Sequence, residues 1–308
     1  MISFIVRRIL WIIPVLLVVS SITFVMMHWA PGGPWDREKH ISDSIQAMLN
    51  AKYGLNLPWI DQYIRWATDF IRLDFGPSYR YVDRSVNDIV ADGLPITVQL
   101  GVQAFALAVA FGIPLGIIAA LGHNRWPDYM ATGISIIGIS TPSFVLAILL
   151  VVVFGVMLNW FPATSNRWAD DWHAWVLPTV ALAGYPIAQV ARYTRASMLE
   201  VTRKDYIRTA QSKGIRQRAV IVRHMIRNAL IPVVTILGPI LAFLVTGSFI
   251  IEYFFGVPGV GRNYVQSIGT RDYSMIMAMT MVYAFVVAFF NVIVDVLYAY
   301  IDPRIRYS

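Results

Sequence analysis

The chain has no cysteine, only four lysines in 308 residues, and charged side chains at just 14% of positions. Without cysteine there is no disulfide framework, no thiolate metal site and no cysteine nucleophile. None of the lysines, Lys39, Lys52, Lys204 and Lys213, follows a glycine. A phosphate-binding loop of the G-x-x-x-x-G-K-S/T type is therefore absent, and ATP hydrolysis by that mechanism is excluded. His28, His40, His123, His173 and His224 form neither an H-E-x-x-H nor an i, i+4 pair, so the common zinc arrangement is missing too. No G-x-S-x-G nucleophile elbow occurs. These absences leave no catalytic residue, no metal site and no cofactor bound by the chain itself. Scarcity of charge has a separate consequence. A soluble domain carries roughly a quarter of its residues as charged groups, whereas here 57% are hydrophobic and the mean hydropathy is +0.59. The excess apolar surface has to meet lipid.

Six stretches are apolar and long enough to cross a hydrocarbon core about 30 Å thick: Ile9–His28, Ile96–Leu121, Tyr129–Met157, Ala174–Ala191, Ala229–Ile251 and Met275–Ile301. The sequence thus reads as an all-α integral membrane protein, one membrane domain over residues 1–308. Arg7 and Arg8 before the first stretch resemble a secretory leader. The apolar run, however, is longer than a leader's core and is read as a retained helix. With the N-terminus inside, the inner segments hold 15 Lys/Arg and the larger outer segments 10, as the positive-inside rule requires. Both termini are then cytoplasmic. The net charge of +7 reports topology and not nucleic-acid binding, because no stacking aromatics interleave with the basic residues on a soluble module. The third stretch is long enough to tilt or to kink at Pro142. Asp295 is the one acid within a span, with Asn291 one turn earlier as a candidate partner, and is read as structural in preference to proton-handling.

Two segments outside the spans are long enough to carry function. Residues 29–95, the outer insertion, open on Ala30-Pro31-Gly32-Gly33-Pro34, which cannot continue a helix. Apolar residues at helical spacing follow: Ile45, Met48, Leu49 and Tyr53, then Ile60, Tyr63, Ile64 and Ala67. A small helical cap is expected there. In the next outer loop Trp160, Trp168, Trp172 and Trp175 suit an interfacial anchor, with substrate stacking as the other reading. On the inner side, residues 192–228 contain a helical run over residues 203–214. Tyr206, Ile207 and Ala210 share one face, and Gly214 stands where a left-handed residue stops a helix. Two readings are open: a solvated positive loop, or a helix that docks on a partner.

Thr209-Ala210-x-x-x-Gly214 followed by Ala229-Leu230-Ile231-Pro232 resembles the "EAA" loop of permease subunits of binding-protein-dependent ABC importers. Arg208 and Thr209 replace the motif's Glu and first Ala, and Ile231-Pro232 follows at a longer spacing. Both departures are usual in the peptide and nickel branch. Ala30-Pro31-Gly32, Asp74-Phe75-Gly76-Pro77-Ser78, Leu94-Pro95-Ile96-Thr97 and Thr141-Pro142-Ser143-Phe144 are similar to that branch as well. So are Pro258-Gly259-Val260-Gly261-Arg262, Arg271-Asp272-Tyr273 and Asp302-Pro303-Arg304-Ile305-Arg306. The whole looks closest to the B-type membrane subunits of oligopeptide permeases.

The resemblance implies a type I importer fold in the bacterial inner membrane and translocation of oligopeptides by alternating access. It also implies a second, homologous permease subunit, two cytoplasmic ATPases that use ATP and Mg, and an extracytoplasmic peptide-binding protein. Tyr206, Ile207, Thr209, Ala210, Lys213 and Gly214 are then the ATPase-coupling residues, with Ala210 expected to face the ATPase. Dipeptides, nickel chelates or another small solute are the alternative cargo. An ion-driven secondary transporter would need acids at mid-membrane, where this sequence has little to offer.

Overall fold

Each of the apolar stretches becomes helical in the computed structural model, which describes residues 2–35, 42–81, 83–165 and 167–301, with side chains from residue 6 onward except 294, 295 and 297–301. Asp295 as a side chain and the motif at 302–306 lie outside the described residues. The chain divides into two units, residues 1–96 with 259–289 and residues 97–258 with 290–308. No strand is present among the described residues.

The first unit holds α1 (Ile2–Trp29), α2 (Asp43–Tyr53), α3 (Trp59–Ile71), the start of α4 (Val86–Leu121), α12 (Val260–Thr270) and the first part of α13 (Tyr273–Ile301). Its core joins Phe24 and Met27 of α1 to Ile276 and Met277 of α13, with Tyr63 and Trp66 of α3 packed against them. Two motif segments far apart in sequence meet here. The Ser78 hydroxyl donates to the Asp272 carboxylate at 2.5 Å, and the Tyr79 amide donates to the same oxygen at 3.0 Å. The other Asp272 oxygen accepts from the Met275 amide at 3.2 Å, so one buried carboxylate both caps α13 and anchors the 77–79 turn.

The second unit holds the rest of α4, α5 (Trp126–Ser140), α6 (Ser143–Leu150) with a π-helical continuation (Val151–Met157), α7 (His173–Thr202), α8 (Asp205–Ser212), α9 (Gln217–Ala219), a π-helical stretch (Val220–Ile226), α10 (Arg227–Val245) and α11 (Phe249–Phe255). Of the long helices, α7 is the most buried. It packs against α5, α6 and α10. Of the four clustered tryptophans, Trp160 and Trp172 are exposed, whereas Trp168 is buried and donates from Nε1 to Gln99.

Among the described residues, five helices are long and apolar enough to cross a membrane, and a sixth crossing exists if α5 and the run Ser143–Met157 count as one broken span. The third expected span is thus bent by 107°. Thr141 explains it: preceding Pro142, it leaves the helical region for φ −88°, ψ 118°, because a proline ring disfavours helical backbone before it. The fifth expected span, Ala229–Ile251, also differs. Its helix begins at Gln217 and stops at Val245, and Gly247 (φ 84°) separates it from α11, which carries Ile251. α7 runs past the expected Ala191 to Thr202, so Arg192 and Arg195 are helical and not loop residues.

Lipid offers no hydrophobic drive between helices, so contact depends on small residues that let backbones approach. A Cβ on Gly101 of α4 would overlap the Leu244 carbonyl oxygen of α10, whereas one on Gly133 of α5 would meet nothing within 4 Å. Gly101→Ala is expected to destabilise the solubilised protein by about 1–3 kcal/mol through overpacking. Gly133→Ala is expected to be neutral or slightly stabilising. Thermal unfolding of the two variants in detergent checks the contrast.

Candidate coupling site

The basic loop is built from its ends inward. α7 stops at Thr202. Lys204, extended at φ −75°, ψ 146°, turns the chain into α8, where Asp205 stands at the positive end of the helix dipole. Lys204 also pairs with Glu200 at 2.9 Å, and that carboxylate holds the ammonium above the usual lysine range. At the other end, Gly214 donates to the Gln211 carbonyl at 2.9 Å and Ile215 to that of Ala210 at 3.4 Å, the paired bonds of a Schellman stop. Gly214 has φ +72°, and a Cβ there would meet nothing within 4 Å. Its requirement is one of backbone conformation, not of space.

The apolar residues of α8 point home. Ile207 is 1% exposed and Ala210 6%. Both enter a cluster with Ala120, Met198, Val201, Val220, Met225 and Ala229, contributed by the ends of α4 and α7 and by the start of the α9–α10 run. The structure therefore splits the residues expected to act together. Tyr206 (43% exposed), Thr209, Lys213 and Gly214 face outward, while Ile207 and Ala210 do not. The expectation that Ala210 faces a partner is corrected: an eight-residue helix is not stable alone, and this one is held by the burial of its own few apolar side chains. What α8 and its C-cap Lys213 offer outward is polar apart from the ring of Tyr206: Asp205, Arg208, Thr209, Gln211 and Ser212 are all exposed with it.

Beside this loop lies an ion pair that sequence reasoning did not find. Arg195 of α7 holds Asp128 of α5 through Nε–Oδ1 at 2.5 Å and Nη2–Oδ2 at 2.8 Å. Asp128 is buried. It accepts further from the Asn124 amide at 3.0 Å and from the Thr132 hydroxyl at 3.3 Å, and His123 Nδ1 lies 3.2 Å from it. The carboxylate is thus fully satisfied, as burial of a charge demands. Arg195 also lines a cavity of about 440 Å³ between α4, α5 and α7, whose other polar groups include Arg192 and the hydroxyls of Thr132, Ser135 and Ser140.

Fold and loop together define a multi-pass α-helical membrane protein whose basic loop carries a short, self-supported helix. The comparisons give the class its particular form. Residues 112–307 match the family described as binding-protein-dependent transport system inner membrane component, and residues 1–101 match the model for the N-terminal part of such components. The chain belongs to this family of inner-membrane permease subunits. It is 45% identical over 291 residues to the dipeptide transport system permease protein DppB of Bacillus subtilis (strain 168), covering 94% of each chain. It is 43% identical over 308 residues to the oligopeptide transport system permease protein OppB of Escherichia coli (strain K12), covering 100% of each. Among solved structures, an inward-facing methionine ABC transporter matches at TM-score 0.57 and 16% identity, over 70% of this chain and 96% of that one, a likeness of fold.

Removing one partner of the Asp128–Arg195 pair strands the other. Asp128→Ala is expected to cost up to about 3 kcal/mol of stability, reduced by the partial exposure of Arg195. The neutral double variant Asp128→Asn with Arg195→Gln should recover part of it. Thermal unfolding of both, read against the wild type, checks the order.

Proposed function

We propose that this chain is the membrane half-channel of an ATP-driven, binding-protein-dependent importer of oligopeptides. Family membership supports the importer role. The names of relatives support the cargo class: they are permeases of dipeptide, oligopeptide and glutathione transport systems, all peptide substrates. A dipeptide cargo is the second reading, favoured by the 45% identity to the dipeptide permease. In this reading both termini and residues 192–228 lie in the cytoplasm, and residues 29–95 lie outside. A second homologous permease completes the channel, two ATPases consume ATP with Mg, and an extracytoplasmic binding protein delivers the peptide. No nucleotide is bound by this chain.

The observation that carries the mechanism is the division of labour on α8. Its apolar residues are fastened to the ends of α7 and α10, and its polar residues face outward. A rigid body gripping the outer face of α8 therefore moves α7 and α10 with it. ATP-driven approach of the two ATPases would draw the paired loops together and open the channel outward, and hydrolysis would reset it, giving alternating access.

Two experiments test this. Reporter fusions after Lys52 and Arg216 should lie on opposite sides of the membrane; the same side for both would overturn the topology. Tyr206→Ala combined with Thr209→Trp should melt as the wild type does yet lose co-purifying ATPases and substrate-stimulated ATP turnover. Ala210→Trp should instead lower thermal stability, by about 1–3 kcal/mol for an overpacked core position. Full ATPase binding and coupled turnover in the Tyr206/Thr209 variant would remove α8 from the coupling role.

A further inference from the structure

α3 is divided into three sectors by its 100° turn per residue. Trp59, Tyr63, Trp66 and Phe70 form one stripe, Ile60, Ile64, Ala67 and Ile71 the adjacent one, and Asp61, Arg65, Thr68 and Asp69 the opposite face. Of the aromatic stripe its own unit covers Tyr63, Trp66 and Phe70 in part, while Trp59, at the start of the helix, stays exposed beside the His28 ring. The Tyr63 ring meets Phe24 edge-on at 5.3 Å, and its hydroxyl lies 2.7 Å from Ser20 Oγ and 3.1 Å from Ser21 Oγ of α1. His28 of α1 lies 3.1 Å from the Gln62 side chain. The isoleucine stripe is left uncovered: Ile60 is 72% exposed, Ile64 56% and Ile71 81%.

The bonds to α1 set the depth of this uncovered face. α1 contains a span, Val6–Trp29, apolar enough to cross the bilayer. Ser20 stands nine residues before Trp29, roughly 13 Å along the axis at 1.5 Å per residue. Half of a hydrocarbon core is about 15 Å. Tyr63 therefore reaches α1 well inside the leaflet at the Trp29 end, and Ile22, Val25 and Met26 of α1, between that point and Trp29, are exposed. The exposed isoleucines of a helix fastened to α1 at this depth add apolar surface to that of α1. With 13 residues, α3 is about 20 Å long and too short to cross, and its charged sector forbids full immersion.

We propose that α3 is an interfacial helix, lying at the surface of the leaflet at the Trp29 end of α1 with Ile60, Ile64 and Ile71 among the acyl chains. Its polar sector faces water and its aromatic sector clamps α1. This gives the small helical cap expected in residues 29–95 a second role: part of the insertion is a lipid anchor that braces the first span.

Because the chain has no native cysteine, single cysteines carry a spin label each without background. The transporter, purified with its co-purifying subunits and placed in phospholipid nanodiscs, is labelled at Ile60→Cys, Ile64→Cys, Ile71→Cys, Asp61→Cys and Arg65→Cys. At the three isoleucine positions, collision with dissolved oxygen should be high and with a water-soluble nickel chelate low; Asp61 and Arg65 should reverse the order. Nickel accessibility at the isoleucine positions would place the face in water, and exclusion of both reagents would place it against protein; either overturns the proposal. Photolabelling of the unsubstituted protein by a bilayer-dissolved diazirine gives an independent reading: adducts between Ile60 and Ile71 are expected, and their absence counts against lipid contact.

Discussion

The burial of α7 is the constraint on which the second unit depends. In lipid, helices gain nothing from leaving the solvent, so a central helix is held by close fit. Buried alanines at 174, 181, 183, 188 and 191 give α7 a narrow profile, and glycines of neighbouring helices come up to it. A Cβ on Gly116 of α4 would stand 2.5 Å from the Ala191 carbonyl oxygen, and one on Gly138 of α5 would stand 2.8 Å from the Ala188 Cβ. Pro178 and Pro186 within α7 leave carbonyls without an intrahelical donor, which a buried helix in contact with many neighbours tolerates better than a lipid-facing one. The two fastenings at its far end follow from this position. Arg195 ties α7 to α5 through Asp128, and Ser197 donates to the Ala229 carbonyl of α10 at 2.7 Å. Met198 and Val201 then provide the floor on which α8 sits.

This arrangement gives the proposed coupling a physical basis. A force on α8 meets the fully buried Ile207 first, and the side chains around Ile207 belong to the ends of α7 and to the α9–α10 run. Close-packed interiors transmit displacement because they do not compress. The π-helical stretch Val220–Ile226, between α9 and α10, departs from the regular i, i+4 ladder within that path. Such stretches are common at functional positions.

Much of the fold was legible because a bilayer permits few solutions. Long apolar runs had to be helices, and Gly214 had to mark a stop because only a residue without a side chain takes its φ cheaply. Pro142 announced a break, but not its angle, since that depends on the backbone Thr141 adopts. The orientation of α8 is not legible for a definite reason: helical spacing groups Tyr206, Ile207 and Ala210, but does not tell which of them the chain buries against itself, and it buries Ile207 and Ala210 while Tyr206 stays outward. Asp128 and Arg195 were invisible as a pair, since 67 positions separate them. Each alone looked like an ordinary loop charge. Ser78 and Asp272 were noticed only as members of separate motifs, and their shared hydrogen bond belongs to the tertiary structure.

α3 and α8 make the same point from opposite directions. Both are short, both are amphipathic, and both are fastened to longer helices by one face. α8 has only Ile207 and Ala210 to bury, the cluster beneath takes both, and what remains outward is polar. Its free face suits a water-soluble protein surface. On α3 the apolar arc is wider, spanning an aromatic stripe and an isoleucine stripe, and α1 with its neighbours takes Tyr63 and Trp66 but not the isoleucines. What remains outward is branched aliphatic surface, which has no value in water and full value in hydrocarbon. Amphipathicity by itself therefore does not say what a short helix docks on. The surplus left after its own chain has taken its share does.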